Sequence, residues 1–182
     1  MPVTRGVDVQ KTFSSGRIVR TAGALLALVL ASTLATGQDA SAAAWPAVIN
    51  SASRLCLGIN GGGDANGTPA IQWGCNGNPD QSWAWVQTST PGGYELVNGN
   101  GLCLEAPGWT TTAGAQLGQW ACNGGANQIW NDDGINPDTV SFRNENSHMC
   151  ISDQSGSPLA GAPIIQWPCN GLGDQLWTWQ VG

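Results

Sequence analysis

A six-residue stretch recurs three times at a fixed step. Gln72 to Gly77 reads Gln-Trp-Gly-Cys-Asn-Gly, Gln119 to Gly124 reads Gln-Trp-Ala-Cys-Asn-Gly, and Gln166 to Gly171 reads Gln-Trp-Pro-Cys-Asn-Gly, so the step is 47 residues both times. Three further sets keep that step: Cys56, Cys103 and Cys150; Gln81, Gln128 and Gln175; Trp83, Trp130 and Trp177. A repeat of this length is one supersecondary unit that cannot bury its apolar face alone, so the three copies must close on one another.

The cysteines sharpen this. Each unit holds one pair separated by 19 residues: Cys56 with Cys75, Cys103 with Cys122, and Cys150 with Cys169. Six cysteines allow 15 pairings. Equivalent units should bridge equivalently, and pairing within each unit does so; each such bridge is expected to add about 3 kcal/mol. Zinc is disfavoured, because there is no Cys-x-x-Cys and His148 is the only histidine. No metal and no cofactor are expected.

Disulfides call for an oxidising compartment, and residues 1–44 read as a secretory signal. Arg5, Lys11, Arg17 and Arg20 are followed by an apolar run from Ala22 to Ala31 and by small residues at Ala40 to Ala44. That run is too short for a membrane helix, which needs about 20 apolar residues. Cleavage after Ala44 leaves 138 residues from Trp45 to Gly182, one domain by length. They contain two arginines, no lysine and ten carboxylates, a formal charge of 2 − 10 = −8. Nucleic-acid binding needs clustered Lys and Arg, and anionic membranes are disfavoured for the same reason. A neutral partner fits best, and the protein is expected to be secreted and monomeric.

No apolar pattern at period 3.6 persists in the mature part, whereas Asn-Gly turns are dense and short alternating runs lie between them. Four strands per unit are expected, in the first unit near Ala47 to Asn50, Leu55 to Ile59, Ala70 to Cys75 and Ser82 to Val86. Three units give twelve strands in an all-β barrel or sandwich. The joins fall near Thr88 to Gly93 and Gly134 to Asp138, which sets the lobes at about 45–90, 91–137 and 138–182.

The motif Cys-Leu, a Gly-rich loop, Ile-Gln-Trp-x-Cys-Asn-Gly and then Asp/Asn-Gln-x-Trp resembles the ricin B-chain type lectins, the family 13-like β-trefoil carbohydrate-binding modules. The Gln-x-Trp triplets are Gln81-Ser82-Trp83, Gln128-Ile129-Trp130 and Gln175-Leu176-Trp177. The resemblance covers nearly the whole mature chain and implies a β-trefoil with pseudo-threefold symmetry. It also implies that Trp83, Trp130 and Trp177 are core residues near the axis.

Strand alternation sorts the remaining tryptophans. Leu55, Leu57 and Ile59 face one way, and Cys56 and residue 58 the other. A Cys56–Cys75 bridge then puts Trp73 on the outer side near residue 58. There an indole can stack on the C–H face of a sugar while polar side chains bind its hydroxyls. Trp120 and Trp167 are the equivalent platforms. Trp45, Trp85, Trp109 and Trp179 stay open between rim and core.

In the resembled family the polar partners are an Asp two residues after the first cysteine and an Asn before Gln-x-Trp. Here the first position holds Gly58, Glu105 and Ser152, and the second Asp80, Asn127 and Asp174. Only the second unit keeps an acid with the Asn, so Glu105, Gln119, Trp120 and Asn127 form the best-furnished expected site. Trp73 with Asp80 and Trp167 with Asp174 are the others. Asp153 lies on a loop unless a bulge brings it to the site. The glutamines before the platforms point inward or across a bulge. Single sites of this kind are weak, and several on one rigid body gain avidity.

The sequence therefore reads as a non-enzymatic, multivalent binder of a carbohydrate, galactose-type or a plant or cell-wall polysaccharide. No Gly-x-Ser-x-Gly or His-Glu-x-x-His is present. The competing reading is a secreted protein-interaction module, an accessory or inhibitor subunit on a trefoil scaffold. An associated glycoside hydrolase is expected to be a separate secreted polypeptide.

Overall fold

The computed structural model describes residues 45–134 and 138–180. The expected signal segment, residues 135–137 of the second join and the last two residues lie outside them. Each repeat folds as four short strands. The first has β1 (Ala47–Asn50), β2 (Cys56–Ile59), β3 (Ala70–Trp73) and β4 (Trp83–Gln87). The second has β5 (Gly93–Asn98), β6 (Leu102–Glu105), β7 (Gly118–Ala121) and β8 (Ile129–Asp132). The third has β9 (Phe142–Asn144), β10 (Cys150–Asp153), β11 (Ile164–Trp167) and β12 (Trp177–Gln180).

The outer strands of the repeats close a six-stranded barrel. β12 pairs with β1, β4 with β5, β5 with β8 and β8 with β9, all antiparallel. Bridges from Ala47 to Ser82 and from Val140 to Trp177 complete the ring. Joining the last described strand to the first leaves no open edge in the barrel. The inner strands form three hairpins, β2–β3, β6–β7 and β10–β11, joined by bridges Pro69–Gly118, Ile71–Pro163 and Gln116–Ile165. This is the β-trefoil, with a three-hairpin cap on a closed barrel.

The core lies where the three repeats meet. Trp83, Trp130 and Trp177 are fully buried among Leu57, Leu104, Ile151 and their neighbours. Each indole Nε1–H donates to a main-chain carbonyl of its own repeat: Leu57 at 2.9 Å, Leu104 at 3.0 Å and Ile151 at 3.2 Å. A buried indole needs such a partner, and here it ties the fourth strand of each repeat to the second. Trp85 is also structural. It stacks on Tyr94, with ring centroids 4.5 Å apart, and meets Phe142 and Trp179 at one end of the barrel. All three bridges form within the repeats, with Cα atoms 5.2, 5.0 and 5.0 Å apart.

Candidate functional site

The bridges decide where the outer indoles stand. Cys56 lies opposite Trp73 across β2–β3, Cys103 opposite Trp120, and Cys150 opposite Trp167. The three tryptophans are 49%, 42% and 44% exposed, against 0% for the core set. The ring of each lies against a glycine of another repeat. A Cβ on Gly161 would come 3.6 Å from Trp73, one on Gly67 3.6 Å from Trp120, and one on Gly114 3.6 Å from Trp167. These glycines have φ of 87°, 79° and 83°, a conformation that favours a residue without a Cβ. Each outer indole is thus seated by a turn of a different lobe.

Gln119, expected to contact a bound sugar, is used otherwise. Its side chain is fully buried, as are those of Gln72 and Gln166. Gln119 Nε2 donates to the carbonyls of Gly63 (2.9 Å) and Ala65 (3.0 Å) in the first lobe, while Asn98 donates to its Oε1 at 2.7 Å. Gln166 clamps Thr110 and Thr112 of the second lobe, and Gln72 clamps Ser157 and Leu159 of the third. The glutamine one residue before each platform therefore grips the neighbouring loop that seats that platform. The Gln-x-Trp glutamines act locally: Gln81, Gln128 and Gln175 accept from the amides of Asn76, Asn123 and Asn170 at 2.9, 2.9 and 2.8 Å, fixing the Cys-Asn-Gly turn.

The three lobes differ in what lies beside the platform. In the third, a cleft of about 460 Å³ is lined by Trp167, Ser152, Asp174, Asn170 and Leu172. Ser152 Oγ donates to Asp174 Oδ2 at 2.8 Å, and Asp174 itself is half-buried. In the first, a cleft of about 310 Å³ is lined by Trp73, Asn60, Asn76, Asn78 and Asp80. Asp80 Oδ2 accepts from the Ile59 amide at 3.3 Å. Gly58 makes room there, since a Cβ on it would lie 3.2 Å from Asp80 Oδ2. In both lobes the carboxylate comes from the position before Gln-x-Trp, next to the small residue that replaces the strand acid.

The second lobe keeps the acid on the strand, where it is as enclosed as Asp80, which is 5% exposed. Glu105 is 6% and Asn127 2% exposed. Glu105 Oε2 accepts from Asn127 Nδ2 (3.2 Å) and Gln128 Nε2 (3.1 Å). The site that looked best furnished is thus the one whose polar groups are most occupied with each other.

Asp153 lies neither on a loop nor in the cleft. It ends β10 at the core-facing position held by Ile59 and Ala106, and it is fully buried. Neither carboxylate oxygen has a hydrogen-bond partner of normal geometry. Burial pushes its pKa up to about 6, the amides of Ser157 and Gly156 offset this in part, and the Asp174 charge adds to the rise. Trp45 lines a separate cavity of about 190 Å³ beside the Cys56–Cys75 bridge.

Indoles set outward in each lobe, beside a carboxylate or amide, on a trefoil with intact Gln-x-Trp cores, agree with the family comparison. The ricin-type β-trefoil lectin domain-like model matches residues 46–100 and 84–167. The chain belongs to this family. Among solved structures, this ricin-type trefoil is similar to the designed threefold-symmetric protein ThreeFoil, with a TM-score of 0.72 and 24% identity over 74% of this chain and 96% of that one. It is also similar to the exo-β-1,3-galactanase 1,3Gal43A of Clostridium thermocellum, with a TM-score of 0.72 and 26% identity over 76% of this chain and 30% of the galactanase. The C-half of the earthworm R-type lectin, solved with GalNAc, shares the fold at a TM-score of 0.59 and 15% identity, over 76% of this chain and 99% of that one. No curated protein sequence matches the chain significantly. Among the described residues no helix is long and apolar enough to cross a membrane.

Proposed function

We propose that this ricin-type trefoil is a secreted, non-catalytic protein that binds carbohydrate weakly at each site and strongly by multivalency. The observation that carries this reading is the pairing, in the first and third lobes, of an outward indole with an adjacent carboxylate. A pyranose stacks its C–H face on Trp73 or Trp167 and donates hydroxyls to Asp80 or Asp174. The third lobe, with the larger cleft and the more exposed acid, is the leading site, and the first is second. A lone site of millimolar affinity contributes only about 4 kcal/mol. Sites held on one rigid body raise retention on a polymer by roughly 10² to 10⁴. The fixed seating of each indole by a neighbouring lobe supports that rigidity. The strongly acidic, arginine-poor mature chain favours a neutral polysaccharide over an anionic one. The likeness to the galactanase supports galactose-type polymers as the first choice of ligand. The test is a glycan array probed with the mature protein, alongside a pull-down from culture fluid. Signal on galactose-type or cell-wall polysaccharides, eluted by free sugar, is the expected result. A blank array with one defined protein partner would replace this reading by an interaction module.

A further inference from the structure

The single 3-10 turn after the second strand of each repeat, at Asn60–Gly62, Pro107–Trp109 and Gln154–Gly156, holds two consecutive residues with positive φ. Five of those six residues are Gly or Ser. The sixth is Trp109, at φ 59°. A bulky side chain adopts this conformation only at a cost that the surroundings must offset. Trp109 is 55% exposed, so core packing does not supply the offset. Its repeat equivalents are Gly62 and Gly156, and each lines the cleft of its own lobe together with the platform Trp73 or Trp167.

A second exchange accompanies the first. Asn78 and Leu172 line the clefts of the first and third lobes, and their equivalent in the second is Gly125. A Cβ there would sit 2.9 Å from Trp109 Cζ2. Side-chain bulk has moved from one wall of the cleft to the other. The same Cβ would lie 2.7 Å from Asn127 Oδ1. That oxygen is buried and has no hydrogen-bond partner, on a residue only 2% exposed. An unpaired buried acceptor needs a donor from outside the protein or stays costly.

We propose that Trp109 and Trp120 form a two-indole subsite in the second lobe, selective for pyranoses with C–H groups on both faces, with Asn127 Oδ1 as the acceptor for one ligand hydroxyl. The proposal rests on the carbohydrate-binding reading above. A pyranose with all ring substituents equatorial presents axial C–H groups on both faces and can contact two indoles. A galactose-type ring carries an axial O4 on one face and can contact only one. The engagement of Glu105 Oε2 by Asn127 and Gln128 fits this division, since stacking rather than a charged acceptor governs the second lobe. Trp109 Cζ2 and Asn127 Oδ1 both lie within 3 Å of the point a Gly125 Cβ would occupy, so the indole edge borders the oxygen in the free protein. An exposed side chain of this kind changes rotamer on a fast timescale, so a sugar hydroxyl reaches the oxygen once the indole tilts outward to become the second wall.

The test uses the Trp73→Ala/Trp167→Ala variant, in which only the second lobe retains its platform, titrated with xylohexaose and with a β-1,3-galactan oligosaccharide. Binding is read from the NMR shifts of the Trp109 and Trp120 indole N–H groups. The expected result is preference for xylohexaose, weakened roughly three- to ten-fold by Trp109→Gly, the scale of one aromatic contact. The melting temperature of the Trp109→Gly variant should be unchanged or raised, because glycine relieves the positive φ. Gly125→Asn, which crowds the indole without deleting it, should also weaken binding. Tighter or unchanged binding in Trp109→Gly would show the indole to be a plug and overturn the proposal. So would absence of binding in the Trp73→Ala/Trp167→Ala variant when the parent binds. A parent that binds neither sugar would instead remove the carbohydrate reading itself.

Discussion

Trp73 and Trp83 stand ten residues apart in one lobe and have opposite fates. Trp83 is sealed in the core with its N–H bound to the Leu57 carbonyl. Trp73 is half exposed, with its ring edge resting on Gly161 of another lobe. The same contrast holds between Trp120 and Trp130, and between Trp167 and Trp177. Residue type does not distinguish the two sets. The distinction lies in strand alternation and in the disulfide beside each outer indole, which holds that face of the hairpin outward. Tryptophan therefore builds the barrel in one set and forms the proposed binding surface in the other.

The largest expected effect breaks the inner set. Trp130→Ala removes a fully buried indole and its hydrogen bond to the Leu104 carbonyl, at a cost of about 3–5 kcal/mol by chemical denaturation. Trp120→Ala should change stability by no more than about 1 kcal/mol, as a partly exposed side chain does. Similar losses for the two variants would erase the contrast between inward and outward indoles.

Asp153 sharpens the same contrast from the charge side, because it occupies an inward position that the other lobes fill with Ile59 and Ala106. Its folded pKa of about 6 lies above the ordinary carboxyl value of 3.8. The native state therefore holds the proton more tightly than the unfolded chain between those values. Stability falls as pH rises through that window, by about 3 kcal/mol for a two-unit shift. Asp153→Asn should flatten the stability profile between pH 4 and 7. A profile as steep as that of the parent would place the titration elsewhere.

A smaller effect connects the two sets. Gln166→Ala removes two hydrogen bonds to Thr110 and Thr112 and should cost about 2 kcal/mol. The loop they hold carries Gly114, on which Trp167 rests, so binding at the third lobe should fall as well. Loss of stability with no loss of third-lobe binding would show that the clamp does not position the platform.

Much of this was legible in the sequence, because the trefoil repeats itself at a fixed step. The cysteine pairing, the twelve strands and the inward Gln-x-Trp tryptophans all follow from positions that stay in phase. The parts that escaped depend on contacts between lobes or on breaks in the phase. The clamping role of Gln72, Gln119 and Gln166 runs to loops of other lobes, which spacing within one repeat does not reveal. Asn50, Asn98 and Asn144 end the first strand of each repeat fully buried, with Oδ1 accepting from turn amides. They fall one residue out of step and so hid from a fixed-step comparison. Trp109 stayed open between rim and core because its meaning depends on the glycines at 62, 125 and 156. The mutual engagement of polar groups in the second lobe escaped for a related reason. Glu105 and Asn127 are the expected residue types, but type alone does not show that they bind each other.

The most direct test of the central claim is affinity electrophoresis of the Trp73→Ala/Trp120→Ala/Trp167→Ala variant, in gels containing the polysaccharide identified on the array, after its melting temperature has been checked against the parent. Three outward indoles that make the binding surface predict a folded variant with the parent's melting behaviour and no retardation. A folded variant retarded as strongly as the parent would contradict the account.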